Sequence, residues 1–576
     1  MSRPLQTFQE KLISLNPNRS NLPKRNQFFT GREDVLDQLN ELFSINKATA
    51  ITQILSGLNG VGKTDTALEF CHIHINDYQT ILWVNAEDEV NLNSSYSEIV
   101  RLLGLVITGS LNSFNLKQNI LSVNNWLSNR SNWLLVWDHL QDPDLLTQFL
   151  PFNHQGHVLV TTTCQSLLGY PYTIDLPEMN VDTGVLFLVK KIGLLPSEKA
   201  LELVSDKDKS IAQKIVQEMG GLPLALSLVA SYLEQTKCTL TDYLSRYQNI
   251  RYSTSRSIDN QEFNVHSCLT AIYTLSIDKI AQQNLIAVQL LQTCSVLSPS
   301  NIPEEIFTET VNLLGDELAT LTNGISSYNE VVQLLSSYSL IERNNINQCF
   351  SLSHLLWQVI NDVLGSNIKL LLAENLTKAL NYLASKDPQD SQYWPLYQRL
   401  LPGSLALAEF INSINPKFLE SAKLFYQLGV YCQNQALFNQ SLDCYFLALT
   451  SYRDIFGDNH ASVAITLNNI GEVYRSQENY YLASNCYLQS LDCYKEFFQD
   501  NHPSIAMTLA NLGILCAETA REKEAIDYYK QALQVFEQSL PASHPWIVKI
   551  LRLCSKLLFQ LNRDDEAQLL LKRIES

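Results

Sequence analysis

Four columns of residues recur every 42 positions towards the end of this 576-residue chain. His460, His502 and His544 form one column, and Gly429, Gly471 and Gly513 another. Ser441, Ala483, Ala525 and Ala567 keep the same spacing, as do Leu467, Leu509 and Leu551. A fixed period of this length marks one supersecondary unit repeated: no unit buries its apolar face alone, so neighbours stack into a solenoid. The small residues let paired helices approach closely, and Pro503 and Pro545 suit a first helical turn, where a missing N–H costs nothing. The pattern predicts an α-solenoid over 416–576, with a helical connector over 371–415. Such an arm offers a concave groove to a protein or peptide. Tyr431, Tyr445, Tyr474, Tyr487 and Tyr528 either line that groove or pack between helices.

Upstream, over 27–178, short apolar runs alternate with amphipathic stretches, the signature of an α/β domain. The strand candidates are Thr52–Ser56, Ile81–Asn85, Trp133–Trp137 and Val158–Thr162, together β-rich and mostly apolar, as strands buried on both faces of a parallel sheet are. Gly57-Leu-Asn59-Gly60-Val61-Gly62-Lys63-Thr64 fits the phosphate-binding loop G-x-x-x-x-G-K-[ST] in full, between the first strand and a helix predicted over Asp65–Ile75. Its glycines allow backbone N–H groups to turn onto phosphate oxygens, and the helix N-terminus adds partial positive charge. Lys63 is placed to neutralise the β- and γ-phosphates of a bound nucleotide, and Thr64 to ligate Mg2+. Asp138 follows five apolar residues. It either ligates the same Mg2+ or caps the following turn.

Residues 1–26 read as a short helix and linker. Residues 179–255 read as a helical subdomain interrupted by Gly220-Gly221-Leu222-Pro223. Over 262–370, helices accompany one hairpin, Ser339–Arg343 and Cys349–Leu352 joined through Asn344-Asn345, which suggests a winged helix.

The order of these motifs resembles STAND-class NB-ARC NTPases that carry tetratricopeptide repeats of the long kinesin-light-chain variety. Phe28-Phe-Thr-Gly-Arg32-Glu33 resembles the family's lead-in, Asp138 its Walker B position, and Gly156–Thr162 its sensor strand. Gly221-Leu-Pro223-Leu-Ala225 matches its GLPL motif, and Ser353-His354 its histidine motif. The resemblance implies that the P-loop, including Val61 and Asp65, binds nucleotide. It also implies that Arg32 lies near the nucleotide, that Pro223 packs near adenine, and that His354 touches the β-phosphate of ADP. From the residues alone His354 reads rather as a satisfied core histidine, and it is the resemblance that favours the nucleotide role. The implied mechanism is a two-state switch, closed with ADP and opened by a ligand on the arm, after which the ATP form assembles as a homo-oligomer or recruits a separate effector.

Two positions depart from the family pattern. His139 stands where an acidic residue or Asn follows the Walker B Asp, and Thr163 stands where the sensor strand ends in Arg. A neutral His139 can orient a water but is not the expected base, and Thr163 supplies no charge to a γ-phosphate. Any turnover is therefore expected to be that of a slow ATPase at most. A repeat scaffold with a degenerate nucleotide site is the alternative reading. A small-molecule kinase is disfavoured, because the sequence shows no substrate-site acid, second phosphate clamp or lid.

Lys plus Arg total 41 against 58 Asp plus Glu, a net charge of −17, which disfavours nucleic acid and anionic membranes. No apolar run approaches a membrane span, and the N-terminus lacks a secretory signal, so a cytoplasmic location is expected. The 12 cysteines include no C-x-x-C pair and read as buried thiols. Cys71-His72-Ile73-His74 reads as ordinary helix surface and core.

Overall fold

The architecture comes from a computed structural model. It describes residues 19–45, 51–87, 89–105, 116–150, 155–164, 173–193, 205–254, 264–323, 325–344, 347–414, 418–498, 501–541 and 543–575. The expected helix within 1–18, and Asn345 of the expected hairpin, lie outside those residues. The described residues fall into two compact units, Met1–Leu372 with Gln398–Ala406, and Ala373–Tyr397 with Leu407–Ser576.

The first unit is organised by a six-stranded parallel sheet. Its strands are β1 (Arg19–Ser20), β2 (Ile51–Ser56), β3 (Thr80–Asn85), β4 (Ser131–Leu140), β5 (Gln155–Thr162) and β6 (Thr173–Asp175), in the spatial order β1-β3-β4-β5-β2-β6. The four apolar runs form the middle four strands. Their centres are buried on both faces, which is why Ile81–Val84, Trp133–Trp137 and Val158–Val160 read as unbroken apolar runs rather than as an alternation. Leu55, Ile81, Leu134, Val136 and Leu159 pack with Phe43, Leu68 and Phe70 into one core. Strand β5 lies between β2 and β4, so the strand that leads into the P-loop is separated from the strand of Asp138 by a single neighbour. The two flanking strands are too short and polar to be seen in the sequence. Beyond β1, Asn21 continues the edge: its side-chain amide donates to Trp83 O at 2.8 Å and its oxygen accepts from Trp83 N at 2.7 Å, imitating one more residue of ladder.

Helices Asp206–Glu218, Pro223–Thr236 and Leu240–Thr254 follow the sheet. A second sheet comprises β7 (Ile302–Pro303), β8 (Glu342–Asn344) and β9 (Cys349–Ser351), antiparallel in the order β7-β9-β8. With helices Val265–Gln283, Ile325–Ser337 and His354–Val363, it makes the winged helix. The first hairpin strand is shorter than the expected Ser339–Arg343. Helix Ile325–Ser337 runs further, and Ser339 turns at φ 56, so extended backbone starts only at Glu342. Arg343 then clasps Glu304 with two hydrogen bonds of 2.6 Å, tying the wing to the segment after β7.

The second unit contains the repeats. Four helix pairs follow one another: Leu419–Asn434 with Phe438–Phe456, Ala461–Ser476 with Tyr480–Phe498, Pro503–Glu518 with Glu522–Ser539, and Pro545–Gln560 with Asp564–Glu575. His460, His502 and His544 are N-caps whose ring nitrogen accepts the backbone N–H two residues on, which accounts for their period. Gly429, Gly471 and Gly513 face Tyr445, Tyr487 and Tyr529 of the paired helix. Tyr431, Tyr445 and Tyr487 are therefore packing residues, whereas Tyr474 and Tyr528 are only partly buried.

Candidate nucleotide site

The P-loop leaves the C-terminal end of β2, where an open parallel sheet binds its ligands. Gly60 and Gly62 have φ of 80° and 96°, a region that a side chain disfavours, and these turns bring the loop's backbone round onto the start of helix Lys63–Ile73. The helix begins at Lys63 rather than at the expected Asp65. Lys63 is 7% exposed, and its ammonium donates to Gly57 O at 2.8 Å and Leu58 O at 2.9 Å. An ammonium has three N–H donors, so one remains for a phosphate oxygen. Burial pushes the Lys63 pKa down to about 8, against the pull of Asp138 and Asp175.

Asp138 does not cap the following turn. It is 5% exposed, and its Oδ1 accepts from Thr64 Oγ1 at 2.9 Å and from Thr161 Oγ1 at 2.6 Å. Thr161, fully buried on β5, reaches Asp138 because β5 lies between the two strands, and it also accepts the His139 backbone N–H at 3.0 Å. Its role depends on strand order, so no local sequence pattern announces it. His139 is 58% exposed and its ring stands beside the pair, Nε2 3.3 Å from Thr64 Oγ1.

These groups line a cavity of about 390 Å³ together with residues far away in sequence. Gly57 is not part of the lining and packs against Leu176, where a Cβ would lie 2.8 Å from Leu176 O; Asn59, Gly60, Val61, Gly62, Lys63, Thr64 and Asp65 all border the cavity. Pro223, at the first position of helix Pro223–Thr236, forms another wall. It is held there because Gly221 approaches Met179 so closely that a Cβ would lie 2.3 Å from Met179 O, and because Leu224 N donates to Gly60 O at 3.3 Å. Arg32 borders the cavity too, and its Nη2 is turned to backbone: it donates to Pro177 O at 2.6 Å and Val61 O at 3.2 Å, holding the lead-in to the P-loop. Asp65 accepts from Asn26 at 3.0 Å, and burial raises its pKa. Thr163 lines the cavity without charge. Lys191, which the sequence did not single out, lines it with its ammonium on Ser227 Oγ.

The winged helix closes one side through Ser300, Leu352, Ser353, His354 and Leu355. A Cβ on Gly60 would lie 3.4 Å from Leu355 Cδ1. His354 is exposed to the cavity and tilted against Trp357 at 5.6 Å, which excludes the core-histidine reading. Cys71 is buried in the core, His72 meets Pro23 O at 3.2 Å and His74 meets Asp77 at 2.7 Å, so that run is ordinary helix.

A nucleoside phosphate with Mg2+ fits this donor set. Glycine-turned backbone, one ammonium and a helix N-terminus suit phosphates. A hydroxyl and a carboxylate suit a hard cation that keeps several waters.

Comparison with known proteins extends the picture. Sequence profiles of the tetratricopeptide repeat family match residues 420–496, 462–538 and 504–575, and a domain of unknown function, DUF7779, matches 276–367. A nucleotide-binding leucine-rich repeat (NLR)-like protein of Hyaloscypha variabilis is 24% identical over 314 residues, 48% of this chain and 30% of that one. A protein of Arabidopsis thaliana named as a disease resistance protein is 25% identical over 240 residues, 38% of this chain and 27% of that one. The chain thus spans less than a third of either relative. A crystal structure of a STAND protein with a tetratricopeptide repeat sensor from Pyrococcus horikoshii aligns at 13% identity over 96% of this chain and 83% of that one, with a TM-score of 0.36. Among the described residues, no helix is long and apolar enough to cross a membrane. The chain carries C-terminal tetratricopeptide repeats, and its ordered motifs, its P-loop sheet and its sequence relatives make it similar to nucleotide-binding proteins of the STAND-class NB-ARC kind.

Proposed function

We propose that the chain is an ADP/ATP-binding signalling switch whose nucleotide, held with Mg2+, locks the winged helix against the P-loop. One observation carries this reading: Gly60 and Lys63 of the P-loop, Pro223 of the GLPL helix and His354 of the winged helix all border one cavity. A ligand there touches elements that must separate if the unit opens, so it binds the two states with different affinity, which is all a switch requires. Lys63 binds the phosphates, Thr64 and Asp138 hold the cation, and Thr161 fixes the Asp138 carboxylate. Asn59, Val61 and Asp65 shape the loop, Pro223 packs near the base, His354 faces the phosphates from the winged helix, and Arg32 holds the frame. The bound cation screens phosphate charge. A protein or peptide in the groove of the repeat arm is the opening signal. The opened form then assembles with further copies or recruits a separate effector.

The test is the nucleotide that leaves purified protein on denaturation, identified by chromatography. Near-stoichiometric ADP is expected. No nucleotide, with no binding of added Mg-ATP, would leave only a repeat scaffold.

The buried Lys63 adds a pH signature. A phosphate at Nζ favours the charged ammonium, so above pH 8 binding must take up a proton. The sign follows: ADP affinity is flat below the free-state pKa of about 8 and falls as pH rises beyond it, by up to about tenfold per unit. Lys63→Arg, charged throughout, is expected to flatten the slope in calorimetric titrations between pH 6.5 and 9.5 (a range chosen as roughly bracketing the lysine titration). A flat wild-type profile would refute the linkage.

A further inference from the structure

His139 is aimed at the cation position by its backbone. The β4–β5 register shifts between Trp137 and Leu140, and within that bulge His139 takes φ 64, the left-handed region that an L-residue occupies at a cost. The Thr161 hydroxyl accepts its N–H and holds it there. As a result the ring stands over the Thr64–Asp138 pair instead of following the strand's alternation. Nε2 lies 3.3 Å from Thr64 Oγ1 and 3.6 Å from Asp138 Oδ2, and Thr64 Oγ1 lies 2.9 Å from Asp138 Oδ1. An octahedral cation about 2.1 Å from each ligand holds adjacent ligands about 3.0 Å apart. Thr64 Oγ1 and Asp138 Oδ1 thus have nearly the spacing of adjacent ligands, and Nε2 stands about 0.3 Å beyond it from Thr64 and about 0.6 Å beyond it from the other carboxylate oxygen.

The Thr64 hydroxyl has a single proton for two acceptors, the carboxylate and the imidazole. When Asp138 takes it, Thr64 Oγ1 keeps its lone pairs, and His139 Nε2 faces both Thr64 Oγ1 and Asp138 Oδ2. Two of these donors are oxygens that suit Mg2+. The third is an imidazole nitrogen, which Mg2+ accepts poorly and first-row transition cations accept well.

We propose that Thr64 Oγ1, the Asp138 carboxylate and His139 Nε2 form a nitrogen-containing cation site that prefers a divalent transition cation to Mg2+. The inference rests on nucleotide binding at the P-loop, because phosphate and water complete the coordination.

Pulsed electron paramagnetic resonance on the full chain, carrying 15N-labelled histidine with Mn2+ and ADP bound, tests it. Wild type is expected to show a 15N coupling to the metal that is absent in His139→Ala and in His139→Asp. The Asp variant keeps an oxygen donor in place, so it also guards against a folding defect. In ADP titrations, the preference for Co2+ over Mg2+ should fall about tenfold on His139→Ala, the scale on which a site's metal affinity responds to a lost supporting group. ADP bound with Mn2+ but without 15N coupling, or a coupling that survives His139→Ala, would overturn this inference and leave the nucleotide reading intact. Failure to bind ADP with any of the three cations would overturn both.

Discussion

Lys63→Ala is expected to weaken ADP binding at least about 100-fold, from hydrogen bonds to charged groups worth about 1.5–3 kcal/mol each and a buried charge pair worth about as much again. The magnitude is large because Lys63 is itself buried, 7% exposed, so water screens its charge little. The same burial makes the nucleotide-free protein indifferent to the loss. Its charge is already disfavoured there, as the lowered pKa records, and its two bonds go only to loop carbonyls. The free variant should therefore melt within a few degrees of wild type, a free-energy difference of about 1 kcal/mol or less. Wild type, by contrast, gains about 2.7 kcal/mol from ADP at a hundred times its Kd, and the variant should gain almost none at that concentration. Thermal melts with and without ADP separate the two effects. A variant that keeps its ADP-induced shift would show that the nucleotide is held elsewhere.

The contrast between the P-loop and its surroundings shows what a sequence carries. The P-loop is legible because its chemistry is local: glycines, Lys63 and Thr64 must be consecutive for one turn to cradle phosphate. The middle strands are legible because burial on both faces leaves continuous apolar runs. Thr161 and Lys191 are not legible as site residues. Thr161 meets Asp138 only because β5 inserts between β2 and β4, and Lys191 reaches the cavity from another helix. Strand order and helix docking are tertiary facts that no spacing records. The two edge strands escape for a different reason. Arg19–Ser20 and Thr173–Asp175 pair on one side only, so nothing requires them to be apolar. His354 could be read from its residues either as core or as cavity wall, and its place at the exposed start of helix His354–Val363 decides for the wall. In the arm, period alone gives the stacking, but the partner of each glycine emerges only when Gly471 is seen against Tyr487.

That pairing yields the strongest expectation for stability. Gly471 lies within helix Ala461–Ser476, where replacing Gly by Ala ordinarily gains about 1 kcal/mol of helix propensity. Here a Cβ would lie 2.7 Å from Tyr487 Cε1 and 2.8 Å from Cδ1, inside contact distance of a fully buried ring. The ring cannot swing away, because the closely approaching helices fix it, so the two helices must part. Overpacking of this kind costs about 1–3 kcal/mol and the separation opens space beside the ring, so steric cost outweighs propensity and Gly471→Ala should be destabilising by about 2 kcal/mol. Tyr487→Ala should cost about 3–5 kcal/mol through the cavity it leaves. Combined, the two should cost clearly less than their sum, because the added methyl then occupies space the ring has vacated. Since each repeat is stabilised by its neighbours, the loss should lower the urea midpoint of the whole arm, followed by far-ultraviolet circular dichroism, rather than appear as a local fraying. A Gly471→Ala protein more stable than wild type, or strictly additive costs in the double variant, would mean that the glycine column serves helix approach only loosely and that Tyr487 packs with room to spare.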